Sequence, residues 1–196
     1  MKVNRENIDI MTAFFRQLEY FGKKDKSLHF ISADHGAWAL ASFKNKLKKQ
    51  YMNIGISEQN MISFAAGMAL NGKKMFVFTI TPFITQRCFE QIKMDVCFPN
   101  LPITIVGNGS SLTYSYHGTS HQAIEDIAMM RSLPNLKILN PCDNKSSQEA
   151  VSIAYKSKQP VYIKLDKGFF PDTNIKSSEL SEGVIELKSN NKKNNL

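Results

Sequence analysis

A chain of 196 residues with 42% hydrophobic content is long enough to bury one sizeable core and has the composition of a globular domain. Its net charge of +8 gathers in Lys23–Lys26, Lys44–Lys49 and the tail KSNNKKNNL without interleaved aromatics, which fits a solvated surface or attraction to phosphorylated metabolites and argues against nucleic acid as a partner. No apolar run reaches membrane-spanning length, the start MKVNRENIDIMTAFF carries acids where a leader would be basic then apolar, and Cys88, Cys97 and Cys142 form no C-x-x-C pair; a cytoplasmic protein with reduced thiols and no membrane partner is expected.

In chain order, Ile8, Met11, Phe15 and Leu18 fall at helical spacing and predict a first amphipathic helix. β-rich runs follow at LHFISAD (28–34), QYMNIGI (50–56), MFVFTI (75–80), ITIVGN (103–108), LKILNP (136–141) and VYIKLD (161–166), separated by helical segments. After the second run, Ser57 is placed to cap a helix through Met61, Ile62, Ala65, Ala66, Met68 and Ala69, stopped by Asn71-Gly72; Ala65, Ala66 and Gly67 would let it press close to a neighbour. Ala150, Ile153 and Ala154 mark the last helix. This alternation predicts βαβ units in an α/β, three-layer αβα domain with a mostly parallel sheet, over residues 1–170. Residues 171–196 read as an extension and a tail, disordered from Ser189 onward, where Asn-Lys repeats have little apolar surface to bury.

Ligands of open α/β sheets sit at the carboxyl ends of the strands, so the informative residues are those just after them. Four places stand out: Asp34-His35-Gly36, Ser57-Glu58-Gln59, Thr81-Pro82-Phe83, and the polar loop GNGSSLTYSYHGTSH at 107–121. Glu58 in the first helical turn fits two roles: an acid complementing the helix dipole, or a carboxyl group at a reaction centre. Phe83 also reads as a core ring, Asp34 as a loop cap, and His121 as a structural histidine at a helix start. His117 and His121 are four apart, but no third ligand completes a metal set.

Three segments in order, NIGISEQNMISFAAGMALNGKKMFVFTI, RCFEQIKMDVCFPNLPITIVGNG and GTSHQAIEDIAMMRSLPNLKILNPCD, resemble the pyrimidine-binding domain of the transketolase family, with similarity to the separately encoded C-terminal subunits of split transketolases. The match spans about residues 28 to 166. The resemblance implies a thiamine diphosphate-binding fold, two-carbon ketol transfer between sugars or sugar phosphates, and a cofactor held between two chains. In the family, the Glu of the G-I-x-E-x motif protonates the cofactor's pyrimidine nitrogen; Glu58 matches it, in a dry pocket that would raise its pKa towards the working pH. Family members stack an aromatic pair on the pyrimidine after the third strand; Phe83 matches the second and Ile80 stands in place of the first. Asp34 matches an acid lining the cofactor cleft, and His121 the histidine that contacts the sugar.

The departures carry information too. The family pattern G-E-D-G-x-T/S-H becomes S-Y-H-G-T-S-H, so Tyr116 and His117 replace two acids, and Gly109 stands where transketolases commonly carry a donor-binding histidine. These changes make ordinary pentose phosphates doubtful and favour a specialised ketose, with His117 and His121 facing it. The glycine-aspartate-glycine and asparagine motif that holds magnesium and the diphosphate is missing, which implies an N-terminal, diphosphate-binding partner subunit and an α2β2 assembly. The third family domain, expected after LSEGVIEL, is not in the sequence, which leaves two readings: the domain is absent, or the chain is truncated. Decarboxylating relatives, of the 1-deoxyxylulose-5-phosphate synthase or 2-oxoacid dehydrogenase kind, and a non-catalytic assembly subunit remain as alternatives.

Overall fold

Helix α1 (Ile10–Lys24) starts where the Asp9 carboxylate accepts the Thr12 N–H at 2.8 Å, and buries Met11, Phe15 and Leu18 as their spacing predicts. Ile8 lies just ahead of it, half-buried. The computed structural model describes residues 8–171 and Thr173, so nearly all of the expected extension and tail lies outside the described residues. After α1 come β1 (Leu28–Ser32), α2 (Trp38–Lys46), β2 (Tyr51–Asn53), α3 (Glu58–Leu70) and β3 (Lys74–Ile80). Then α4 (Thr81–Thr85) and α5 (Phe89–Gln91) lead into a π-helical stretch, Ile92–Cys97, followed by β4 (Ile103–Asn108) and α6 (Asp126–Met130). The last elements among the described residues are β5 (Lys137–Leu139), α7 (Asn144–Lys156) and β6 (Val161–Leu165).

All six expected strands form, in one sheet of order β2-β1-β3-β4-β6-β5 whose pairings are all parallel. Four are shorter than their runs, β2 and β5 most of all. Tyr51–Asn53 ends before Gly55, whose φ of +76° turns the chain out of the sheet. Gln50 belongs to a short 3₁₀ turn instead, its amide donating to the carbonyls of Leu28 at 2.8 Å and Gly22 at 3.0 Å. The β5 run stops at Leu139, short of Pro141, which has no N–H for a ladder.

Both faces of the sheet are covered, which is why its central strands read as unbroken apolar runs. Phe76 and Phe78 point towards α1, α2 and α7, where Phe15 meets Phe30 and Phe78 edge-on at 5.4 and 5.5 Å. Met75 and Val77 point the other way, against Met61, Ile62, Ala65 and Ala66 of α3. Gly67 lies on the exposed face of α3 with open space around it, so only the alanines serve the close packing expected of this helix. In α7, Ala150 and Ala154 are buried while Ile153 is half-buried. The strand order reverses between β1 and β3, and the carboxyl ends of these strands open onto the switch-point crevice. Among the described residues no helix is long and apolar enough to cross a membrane.

Candidate active site

The joint between β2 and α3 is set by Asn53. Its side-chain oxygen accepts the N–H groups of Asp34 at 2.9 Å and Gly55 at 3.1 Å, and its amide donates to the Asp34 carboxylate at 3.1 Å. Asp34, at φ +48°, is therefore clamped to the neighbouring strand end, and both its side-chain and backbone bonds go to Asn53. Ser57 stands at the N-cap position, but its hydroxyl donates to the Ile54 carbonyl at 3.0 Å and not, as the sequence suggests, into the helix. Glu58, the first residue of α3, is 3% exposed.

The segment that follows β3 packs against Glu58. Pro82 in the first turn of α4 starts a helical course that brings Phe83 and Arg87, four residues apart, onto one side. The Arg87 guanidinium donates to Glu58 Oε2 at 2.9 Å and lies over the Phe83 ring at 4.3 Å. Phe83 in turn meets the His121 ring edge-on at 4.9 Å, His121 lies 4.8 Å from His117, and His117 lies 4.1 Å from Tyr116. A continuous line thus runs from a buried carboxylate through a cation and an aromatic face to two imidazoles at the surface. Burial, aided by the positive charges of His117 and Arg87, holds the His121 imidazole below its ordinary pKa. The buried Cys88 thiol is pushed up to about 12 by its burial and by Glu58, with Arg87 acting in the opposite direction.

Of the residues singled out from sequence, Glu58, Phe83, His121 and His117 are brought together in this line. Ile80 ends β3, half-buried and in register with Asn108, while Asp34 stays with Asn53 at the rim. Among the described residues no group of three or more His, Cys, Asp or Glu side chains is placed to hold a metal ion. Arg87 escaped the sequence reading; its spacing of four from Phe83 was the available signal.

The 107–121 loop has more structure than its composition suggests. It contains two 3₁₀ turns, Ser115–His117 and Thr119–His121, and an antiparallel bridge from Ser111 to Ala123. Tyr114 is its buried anchor: its hydroxyl accepts from Asn108 Nδ2 at 2.9 Å, and its ring fills the space beside Gly109. A Cβ at 109 would sit 2.5 Å from Tyr114 Cε2, on a backbone at φ +88°. Glycine is thus required where a histidine is otherwise expected. The far end of the loop is tied down by Lys164, which donates to Asp126 Oδ1 at 2.8 Å and to the Ala123 carbonyl at 3.2 Å. Asp126 also accepts the Tyr162 hydroxyl at 2.6 Å.

A family model described as transketolase, pyrimidine binding domain, matches residues 6–172. The chain is 30% identical to an apulose-4-phosphate transketolase subunit of Phocaeicola vulgatus, over 82% of this chain and 52% of that protein. It is 32% identical to 1-deoxy-D-xylulose-5-phosphate synthase of Desulfotalea psychrophila, over 90% of this chain and 27% of that protein. Among solved structures, a split gene transketolase described as an inactive beta4 tetramer superposes with a TM-score of 0.75 at 32% identity, covering 85% of this chain and 54% of that one. The chain spans about half the length of the split-transketolase relatives it matches. The parallel six-stranded sheet, its switch-point crevice and the family match lead to one assignment: the chain belongs to the transketolase pyrimidine-binding domain family.

Proposed function

We propose that this chain is the pyrimidine-binding subunit of a thiamine diphosphate-dependent, transketolase-type transferase that moves a two-carbon ketol unit between sugars or sugar phosphates. The observation that carries this is Glu58, a carboxylate 3% exposed at a helix start, set one guanidinium away from the face of Phe83. A buried acid beside an aromatic face fits a planar heterocycle with a basic ring nitrogen. Bound thiamine diphosphate supplies an acidic carbon and an electron sink for breaking the bond beside a ketose carbonyl. Glu58 holds the proton at the pyrimidine nitrogen, and Phe83 stacks on the ring, with Ile80 and Asp34 bordering the cleft. His121, adjacent to Phe83 and held below its ordinary pKa, moves a proton to or from the sugar oxygen. Tyr116, His117 and the glycine enforced at 109 shape the donor site for a specialised ketose in place of ordinary pentose phosphates.

The diphosphate and its Mg²⁺ are assigned to an N-terminal partner subunit, in a cytoplasmic α2β2 assembly. The deciding experiment mixes the chain with the partner from the neighbouring gene, thiamine diphosphate, Mg²⁺ and a panel of ketoses. Two-carbon transfer lost in Glu58→Gln is expected. No turnover with any donor, together with equal behaviour of the variant, overturns the reading. The similarity to a 1-deoxy-D-xylulose-5-phosphate synthase favours one second reading, and carbon dioxide release from pyruvate in the same mixture identifies it.

A further inference from the structure

We infer that Arg87 is a placeholder for the cofactor's pyrimidine ring, a displaceable side chain that makes the ring's two contacts itself and must swing out for the ring to bind. The inference rests on the reading of Glu58 and Phe83 given above. A guanidinium is flat, cationic and rich in N–H donors. Here it donates to Glu58 Oε2 at 2.9 Å while lying on the Phe83 ring at 4.3 Å. A protonated aminopyrimidine satisfies an acid and an aromatic face in the same two ways, through a ring N–H and through its π surface. One carboxylate oxygen and one ring face cannot serve both groups at once.

The surroundings make Arg87 the member able to move. Its side chain is 44% exposed, against 4% for Glu58, and it sits in the short turn between α4 and α5. Glu58 is fixed by the start of α3, and Phe83 by α4, whose neighbours Ile84 and Cys88 are fully buried. A carboxylate this deeply buried is costly without a partner, so Arg87 satisfies it until the ring takes over. The displacement lowers the apparent cofactor affinity by the cost of turning Arg87 out. Neighbouring Gln86 already faces Glu125 at 3.0 Å, so an outward turn leads towards an acid at the start of α6.

The test measures thiamine diphosphate binding by calorimetry, and thermal unfolding with and without it, on the assembled two-subunit complex with Mg²⁺. Wild type, Arg87→Met and Arg87→Lys are compared. Arg87→Met is expected to melt lower without cofactor, yet to bind thiamine diphosphate on the order of tenfold more tightly, with Arg87→Lys in between. A residue that only props up the fold gives the lower melting point with no gain in affinity. Unchanged or weaker binding by Arg87→Met, with the wild type binding normally, overturns the placeholder alone. Failure of the wild-type complex to bind thiamine diphosphate overturns the proposed function and this inference with it. Should Arg87→Met not assemble, a structure of the wild-type complex with thiamine diphosphate decides: Arg87 turned away from Phe83 supports the inference, and Arg87 still lying over that ring refutes it.

Discussion

Replacing Lys164 by Met removes one charge from the most deeply buried ion pair among the described residues. The Lys164 and Asp126 side chains are 6% and 0% exposed, and their atoms approach to 2.8 Å. Met keeps most of the stem's volume, so the perturbation is electrical more than steric. Asp126 would retain only the Tyr162 hydroxyl, at 2.6 Å, in a site water does not reach. Breaking such a pair costs about 3–5 kcal/mol, or about 6–20 °C in Tm for a chain of this size. The damage also has a location. Lys164 holds the Ala123 carbonyl, and Ala123 bridges to Ser111, so the segment ending in His121 loses its tether at both ends. Urea unfolding followed by circular dichroism measures the total, and hydrogen exchange over residues 109–125 reads the local loosening. The double variant Lys164→Met with Asp126→Asn, in which neither charge of the pair remains, is expected to recover more than half of the loss. A single-variant cost below about 1 kcal/mol, the range of an exposed pair, or strict additivity in the double variant, refutes the reasoning.

Other expectations concern acid stability and the loop. Burial raises the Glu19 pKa, but hydrogen bonds from Lys23, Lys46 and Ser42 outweigh it and hold the group at about 2, against an ordinary 4.5. Its contribution is complete above the ordinary value and is lost as pH falls from about 4.5 to about 2; Glu19→Gln should flatten the stability curve in that window, as read by urea midpoints. His35 is held down to about 4 by burial and by Lys167, so it binds protons more readily unfolded than folded. Stability should therefore fall as pH drops from about 6.5 to about 4, and the His35 ring signals should stay those of the neutral imidazole at pH 6; a midpoint near 6.5 by NMR would contradict this. Placing a histidine in the loop by Gly109→His should destabilise the chain by about 1–3 kcal/mol, because φ +88° and the Tyr114 ring both oppose it. Adding Tyr114→Val should relieve only the steric part, and wild-type stability for the single variant would disprove the account.

The parts of this protein legible in its sequence are those where one physical rule acts alone. Burial on both faces makes MFVFTI and ITIVGN continuous apolar runs, and they form β3 and β4 within one residue of the expected bounds. Glu58, the first residue of α3, fits from its position alone an acid complementing the helix dipole, and only the resemblance to the family motif favours a reaction centre. The failures come where two elements meet. Arg87 looks like a surface cation in the sequence, and its partner lies 29 residues earlier on another element, a separation no periodicity encodes. Tyr114 sits in a polar loop whose backbone is shaped by a hydrogen bond to Asn108 and by contact with Gly109, so composition alone reads the segment as unstructured. The same distinction orders the chemistry. The acid and the aromatic face belong to regular elements and persist with the fold, whereas Arg87, Tyr116 and His117 stand on turns, where a substitution changes the contact made without disturbing the sheet. On the proposed function, cofactor handling is therefore tied to the architecture, and sugar selectivity to side chains that can vary while the sheet stays as it is.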